Sequence, residues 1–197
     1  MCIILISLAI TKIGYSEVTN QDTYKHSISV PLILDSRISN NHEIVTRMSQ
    51  MCHKMALSGC DTVIIIDFTK NSLQKRLAVY QVNGHNTPKL LFLSEVATGS
   101  GCKSRHYSNE FGSKCSSIGI FHTAEPWFGH NGRSLRVRGL QRGINDNAYD
   151  RLILIHGAPY VRPGHVGHSF GCFAVPTNKI GQLLDILRNG AILFVEG

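Results

Sequence analysis

The 197-residue sequence has no CxxC pair, no HExxH, no run of about 20 apolar residues and no dense lysine–arginine cluster. Without CxxC spacing a zinc finger fails on ligand geometry. Without HExxH no helix presents two histidines to one catalytic zinc. The apolar runs are too short for an integral membrane segment. Basic residues are scattered and no nucleic-acid motif accompanies them, so no nucleic-acid partner is assigned. Low-complexity tracts, internal repeats and an interdomain linker are also missing, which sets disorder and repeat architectures aside.

What remains is the make-up of one ordinary domain, 43% hydrophobic and 17% charged, with a formal charge of +7. That length buries a real core. The positive balance suits an acidic partner, and nucleic acid, anionic lipid and an anionic cell-wall polymer all fit that description, although a solvated surface accounts for most of it. The N-terminal MCIILISLAITKIGYS is apolar from Cys2 to Ile10. It reads as a degenerate secretory leader over residues 1–16, or as an N-terminal strand, because no basic residue precedes it. Six cysteines are present, at 2, 52, 60, 102, 115 and 172. If Cys2 leaves with the leader and Cys172 stays free for chemistry, Cys52 with Cys60 and Cys102 with Cys115 would close two short loops. Four cysteines allow other connectivities, and buried free thiols are the plain alternative.

Ile44, Val45, Met48, Met51, Cys52 and Met55 recur at helical spacing up to Gly59. TVIIIDF reads as a buried strand, and KRLAVYQV with KLLFLSEVATG as a strand pair across NGHNTP. The Gly/Ser/Cys/Lys-rich residues 99–117 form a long loop of the kind that carries function. IGIFHT, SLRVRGL, RLILIHG and AILFVEG read as further strands. Ile180, Leu183, Leu184 and Leu187 give one helix face, opened by Thr177 and closed by Asn189-Gly190. Many short strands, two helices and no βαβ alternation predict a mainly β sandwich or barrel.

Chemistry concentrates in LILIHGAPYVRPGHVGHSFGCFAVP. His156 ends an apolar strand, where rigid structure holds an imidazole at the rim of a cleft. The carbonyl of Gly157 stands next to it and is placed to accept Nδ1–H and fix the tautomer. Cys172 sits in a glycine-flanked turn after Ser169, where backbone amides approach a substrate oxygen. A nucleophilic thiol needs such a base and such donors. A structural thiol beside a capped histidine is the bland alternative.

From about Asp67 onward the chain resembles the L,D-transpeptidase (YkuD-type) superfamily, in its murein L,D-transpeptidase catalytic-domain branch. The carrying segments are DFTKNSLQKRLAVYQV, VATGSG, GSKCSSIGIFHT, HNGRSLRVRGLQRGINDNAYDRLILIHGAPYV and GHSFGCFAVP. The resemblance implies a β-sandwich with an N-terminal helix and one helix after the catalytic turn. It divides the chain into the leader, a helical arm over 17–60 and a catalytic domain over 61–197. It makes Cys172 the nucleophile, His156 its base and Gly157 the orienting carbonyl. Gly171 and Cys172 amides would form the oxyanion hole, with Ser169 supporting the turn. The implied partners are peptidoglycan stem peptides in the cell envelope, met without a cofactor or metal. His168, Arg133 and Arg162, with Arg136 and Arg138, are candidates for binding stem-peptide carboxylates. Three positions depart from the pattern: His168 replaces an arginine, Phe173 a proline and Thr98 a histidine.

Two other readings compete with thiol catalysis. One is a wall-binding homologue without turnover. The other is a zinc peptidase drawing on His122, His130, His156, His165 and His168, of which His165 and His168 stand at i and i+3 in a loop. A papain-like protease places its cysteine before its histidine, which is the reverse of the order here.

Overall fold

The computed structural model describes residues 41–83, 87–103 and 106–197. The leader reading and residues 17–40 of the expected arm lie outside them. Helix α1 (Asn41–Lys54) precedes strands β1 (Thr62–Asp67), β2 (Leu77–Gln81) and β3 (Lys89–Ser94). A long hairpin follows, β4 (Gly119–Gly129) and β5 (Gly132–Gly139). Then come β6 (Leu154–Ala158), a two-stranded ribbon β7 (Val161–Arg162) and β8 (His165–Val166), and β9 (Phe173–Pro176). Helix α2 (Ile180–Ile186) and β10 (Ile192–Glu196) complete the described chain.

The mainly β expectation holds, and the sandwich is a single mixed sheet of eight strands in the order β3-β2-β1-β10-β4-β5-β6-β9. Ala97, just after β3, bridges Ala174 in β9, so the two ends of that order meet. One face closes over a core that includes Ile64, Val79, Phe121, Val137, Ile155, Phe173 and Leu193, with Leu183 and Leu184 of α2 and the following Leu187 inserted. On the other face α1 lays Ile44, Val45, Met48 and Cys52 over Val63, Ile65, Ile192 and Phe194. β1 is therefore buried on both sides, which is why it reads as an unbroken apolar run.

Cys52–Cys60 and Cys102–Cys115 are both bonded, with Cα atoms 5.3 and 4.8 Å apart. Cys172 is the free cysteine among the described residues. One capping expectation fails. α2 begins at Ile180 behind Lys179, which makes no side-chain cap bond, so Thr177 does not open it. Thr177 instead packs with Ile180 against Gly157, where a Cβ would stand 2.8 Å from Ile180 Cγ2. Gly157 is thus required for α2 to approach β6.

Candidate active site

The pleat of β6 and β9 sorts the site. Ile155 pairs in register with Phe173, and both fill the inner core. Their neighbours His156 and Cys172 consequently take the opposite face. His156 pairs with Ala174, two residues beyond Cys172. Strand spacing of about 4.8 Å and a two-residue rise of about 6.6 Å put the two Cα atoms roughly 8 Å apart. That is a distance two side chains can bridge.

His156 is buried, at 3% exposure. Its Nδ1 lies 2.9 Å from the Gly157 carbonyl oxygen, which only accepts. Nδ1 therefore carries the proton, and the neutral ring keeps its lone pair on Nε2. Burial pushes its pKa below the ordinary 6.5, against the pull of the Gly157 carbonyl. The Cys172 thiol donates to the Leu152 carbonyl across 3.6 Å. Burial pushes its pKa up, while the Leu154 backbone amide and the Arg151 charge oppose that rise. At neutral pH the two residues rest as a thiol and a neutral imidazole.

The turn is clamped from two sides. Ser169 Oγ accepts the Gly171 amide at 3.1 Å and donates to the Cys172 carbonyl at 2.7 Å. The segment after β3 zips along it, with Ser169 N–H donating to Thr98 O and Ser100 N–H to Ser169 O. Residue 98 meets the turn through its backbone carbonyl, so this bond does not depend on its side chain. Ser169 supports the turn as expected. The expected oxyanion role for the Gly171 amide needs correcting, since that amide is engaged by Ser169. The Cys172 amide is the remaining donor of the expected pair.

The carboxylate-binding candidates separate. His168 is exposed on the approach to the turn, and Arg162 is exposed on the β7–β8 ribbon opposite His165. The ribbon packs Val161 and Val166 with Tyr160 and Ala174, beside the His156 face. Arg133 is a correction. It points to the α2 side, 3.7 Å from Asp185, and lines a cleft of about 250 Å³ with Leu184 and Arg188. Strand alternation puts it on the face opposite its neighbour Ser134, which pairs with His156. Arg136 is occupied as well. It bonds Glu125 Oε1 at 3.1 Å and the Tyr149 carbonyl at 2.9 Å, and its guanidinium carbon lies 3.5 Å from the Tyr149 ring centroid. Arg138 stacks on the same ring. Phe173 faces the core rather than the cleft.

Two residues that the sequence did not single out interact electrostatically with Cys172. Arg151 is one. Tyr160 is the other, its pKa raised first by burial and then by its coupling to Cys172. Tyr160 follows His156 by four residues in HGAPYV, and Arg151 immediately precedes the apolar run. Those positions were the available signals. His122, from the metal reading, bonds the Ser58 carbonyl at 2.8 Å. Among the described residues no group of three His, Cys, Asp or Glu side chains is arranged to hold a metal ion.

Residues 36–195 match the L,D-transpeptidase catalytic domain family. The chain belongs to that family. No curated protein matches it. Solved structures similar to it include an L,D-transpeptidase (residues 123–326) from Xylanimonas cellulosilytica, at 15% identity and TM-score 0.43, covering 68% of this chain and 59% of that one. Another is an L,D-transpeptidase from Mycobacterium smegmatis, at 12% and 0.45, covering 72% and 60%. L,D-transpeptidase 3 from Mycobacterium tuberculosis aligns at 10% and 0.44, covering 70% and 61%. The chain thus spans about three fifths of the length of these proteins. No helix among the described residues is long and apolar enough to cross a membrane.

Burial of neutral imidazoles ties stability to pH. His156 and His122 both have folded pKa values below 6.5, for His122 because of burial, against the Ser58 bond, with Arg138 adding to the depression. The unfolded chain therefore binds these protons first, so stability is full above about pH 6.5 and falls as pH drops below it. The melting temperature is expected to decline as pH falls from about 6.5 to 5.5, and less steeply in His122→Gln. Calorimetry across that range checks this; equal slopes in the two proteins would contradict it.

Proposed function

We propose that the protein is a cysteine acyltransferase acting on peptidoglycan stem tetrapeptides. The observation that carries this reading is the neutral His156, tautomer fixed by Gly157, on the same sheet face as the free thiol of Cys172. On attack, Cys172 Sγ adds to the carbonyl of the third, L-configured centre while His156 Nε2 takes the thiol proton. The Cys172 amide donates to the developing oxyanion. The tetrahedral adduct collapses by breaking the bond to the terminal D-alanine, whose amine receives the proton from His156. The thioester is then taken by an amine of a second stem, giving a cross-link, or by water, giving a tripeptide. A covalent intermediate divides one difficult displacement into two easier ones.

The two disulfides, together with the positive surface, support a place in the cell envelope, outside the reducing cytoplasm. His168 at the turn and Arg162 on the ribbon are both exposed, which suits them to stem-peptide carboxylates.

Incubating the disulfide-intact protein with diaminopimelate-type tetrapeptides and resolving the products tests the reading. A dimer with released D-alanine indicates transpeptidation, and a tripeptide indicates L,D-carboxypeptidase action. Absence of both from folded protein, or activity that a chelator abolishes, would overturn it.

A further inference from the structure

We infer that Arg151 is a positioning residue for Cys172, locking the disulfide-closed loop beneath the catalytic turn and holding a fixed positive charge beside the sulfur. The inference rests on the proposed role of Cys172 as nucleophile.

The guanidinium makes four hydrogen bonds. Nη1 donates to Ser108 O and Ser117 Oγ, both at 2.8 Å. Nη2 donates to Cys115 O at 2.6 Å and Ser113 Oγ at 3.1 Å. Ser108, Ser113 and Cys115 lie on the far side of the loop closed by Cys102–Cys115, and Ser117 follows two residues after it. None of them carries negative charge, so this grip orients the guanidinium without cancelling it. A planar fork suits four spread acceptors, and a lysine ammonium offers three donors from one point.

The carbonyl that Arg151 grips most closely is also the floor of the turn. Gly171 has φ +120, and a Cβ there would stand 2.9 Å from Cys115 O and 3.5 Å from Arg151 Nη2. Glycine is needed at 171 both for that backbone angle and for this approach. The backbone next to Arg151 meets the sulfur as well. Leu152, at φ 56, turns the chain into β6 and presents the carbonyl that receives the Cys172 thiol. The loop, Arg151 and the turn therefore share one contact surface.

Two side chains interact electrostatically with Cys172: Arg151 before β6 and Tyr160 after it. Burial makes the thiolate costly, and Arg151 is the permanent cation that opposes this, with the influence reciprocated on its own guanidinium. His156 supplies no charge at rest, because burial keeps it neutral. Tyr160 is uncharged near neutrality. The fixed charge thus comes from outside the Cys–His–Gly set.

The test is the pH profile of Cys172 alkylation by iodoacetamide, followed by peptide mapping on the full chain with its disulfides intact. Arg151→Gln is expected to move the alkylation midpoint upward by about one pH unit, roughly a tenfold slower reaction near neutrality. Arg151→Lys, which keeps a charge but loses the fork, is expected to fall between that variant and the parent. An unmoved midpoint in both variants overturns the inference. If Arg151→Gln does not fold, Arg151→Lys decides alone by the same criterion. No cell-wall peptide enters the assay. A shifted midpoint in a protein without acyl transfer would therefore count against the substrate reading and leave the role of Arg151 standing.

Discussion

His156→Gln is expected to lower acyl transfer by about 10²–10⁴-fold while leaving the fold intact. The proposed base works through Nε2, whose lone pair is available because Nδ1–H is held by the Gly157 carbonyl. A glutamine amide fills much of the same volume and still bonds a carbonyl, but it does not take a proton near neutrality. Loss of the base also leaves the Cys172 thiol protonated, because burial already opposes its ionisation. Initial rates of D-alanine release, read beside the melting temperature, check this. A variant with parental rates would remove His156 from the chemistry.

Phe173→Ala is expected to cost about 3–5 kcal/mol of folding stability. Phe173 is fully buried, packs edge-on against Phe121 with ring centroids 5.7 Å apart, and lies 6.3 Å from Phe68. Truncation opens a cavity where β9, β4 and the end of β1 meet. Phe170, two residues before Cys172 and 73% exposed, provides the contrast. Phe170→Ala is expected to change stability by no more than about 0.5 kcal/mol. Urea unfolding of the two variants measures the difference, and similar costs would contradict the facing assigned to the turn. Phe173 is thus a core residue whose contribution is packing.

The elements legible in the sequence were those whose neighbours are local or whose burial is complete. β1 and β10 announced themselves as apolar runs because core and helix cover both faces. The second half of β4 did not. Residues 124–129 are half-buried or exposed and contain Pro126, and the strand continues there only because a register shift between Thr123 and Pro126 accommodates them. The start of β6 was read too early. Leu152 adopts φ 56 at the close of a turn anchored by Asn145 and Asn147, and the strand begins at Leu154.

The site divides in the same way. His156, Gly157, Ser169 and Cys172 lie in one short stretch, so motif spacing pointed to them. Arg151 became visible only through its contacts with residues 108–117, which reach across some 36 residues of sequence. Arg133 was misassigned because composition does not reveal strand parity. A shift of one position sends a side chain to the other face.

The most direct measurement is the intact mass of the protein after brief incubation with a stem tetrapeptide, beside Cys172→Ala. The account predicts a gain equal to the peptide less one D-alanine, mapped to the fragment containing Cys172 and missing from the variant. Release of D-alanine by Cys172→Ala at the parental rate, or an adduct on another residue, would contradict it.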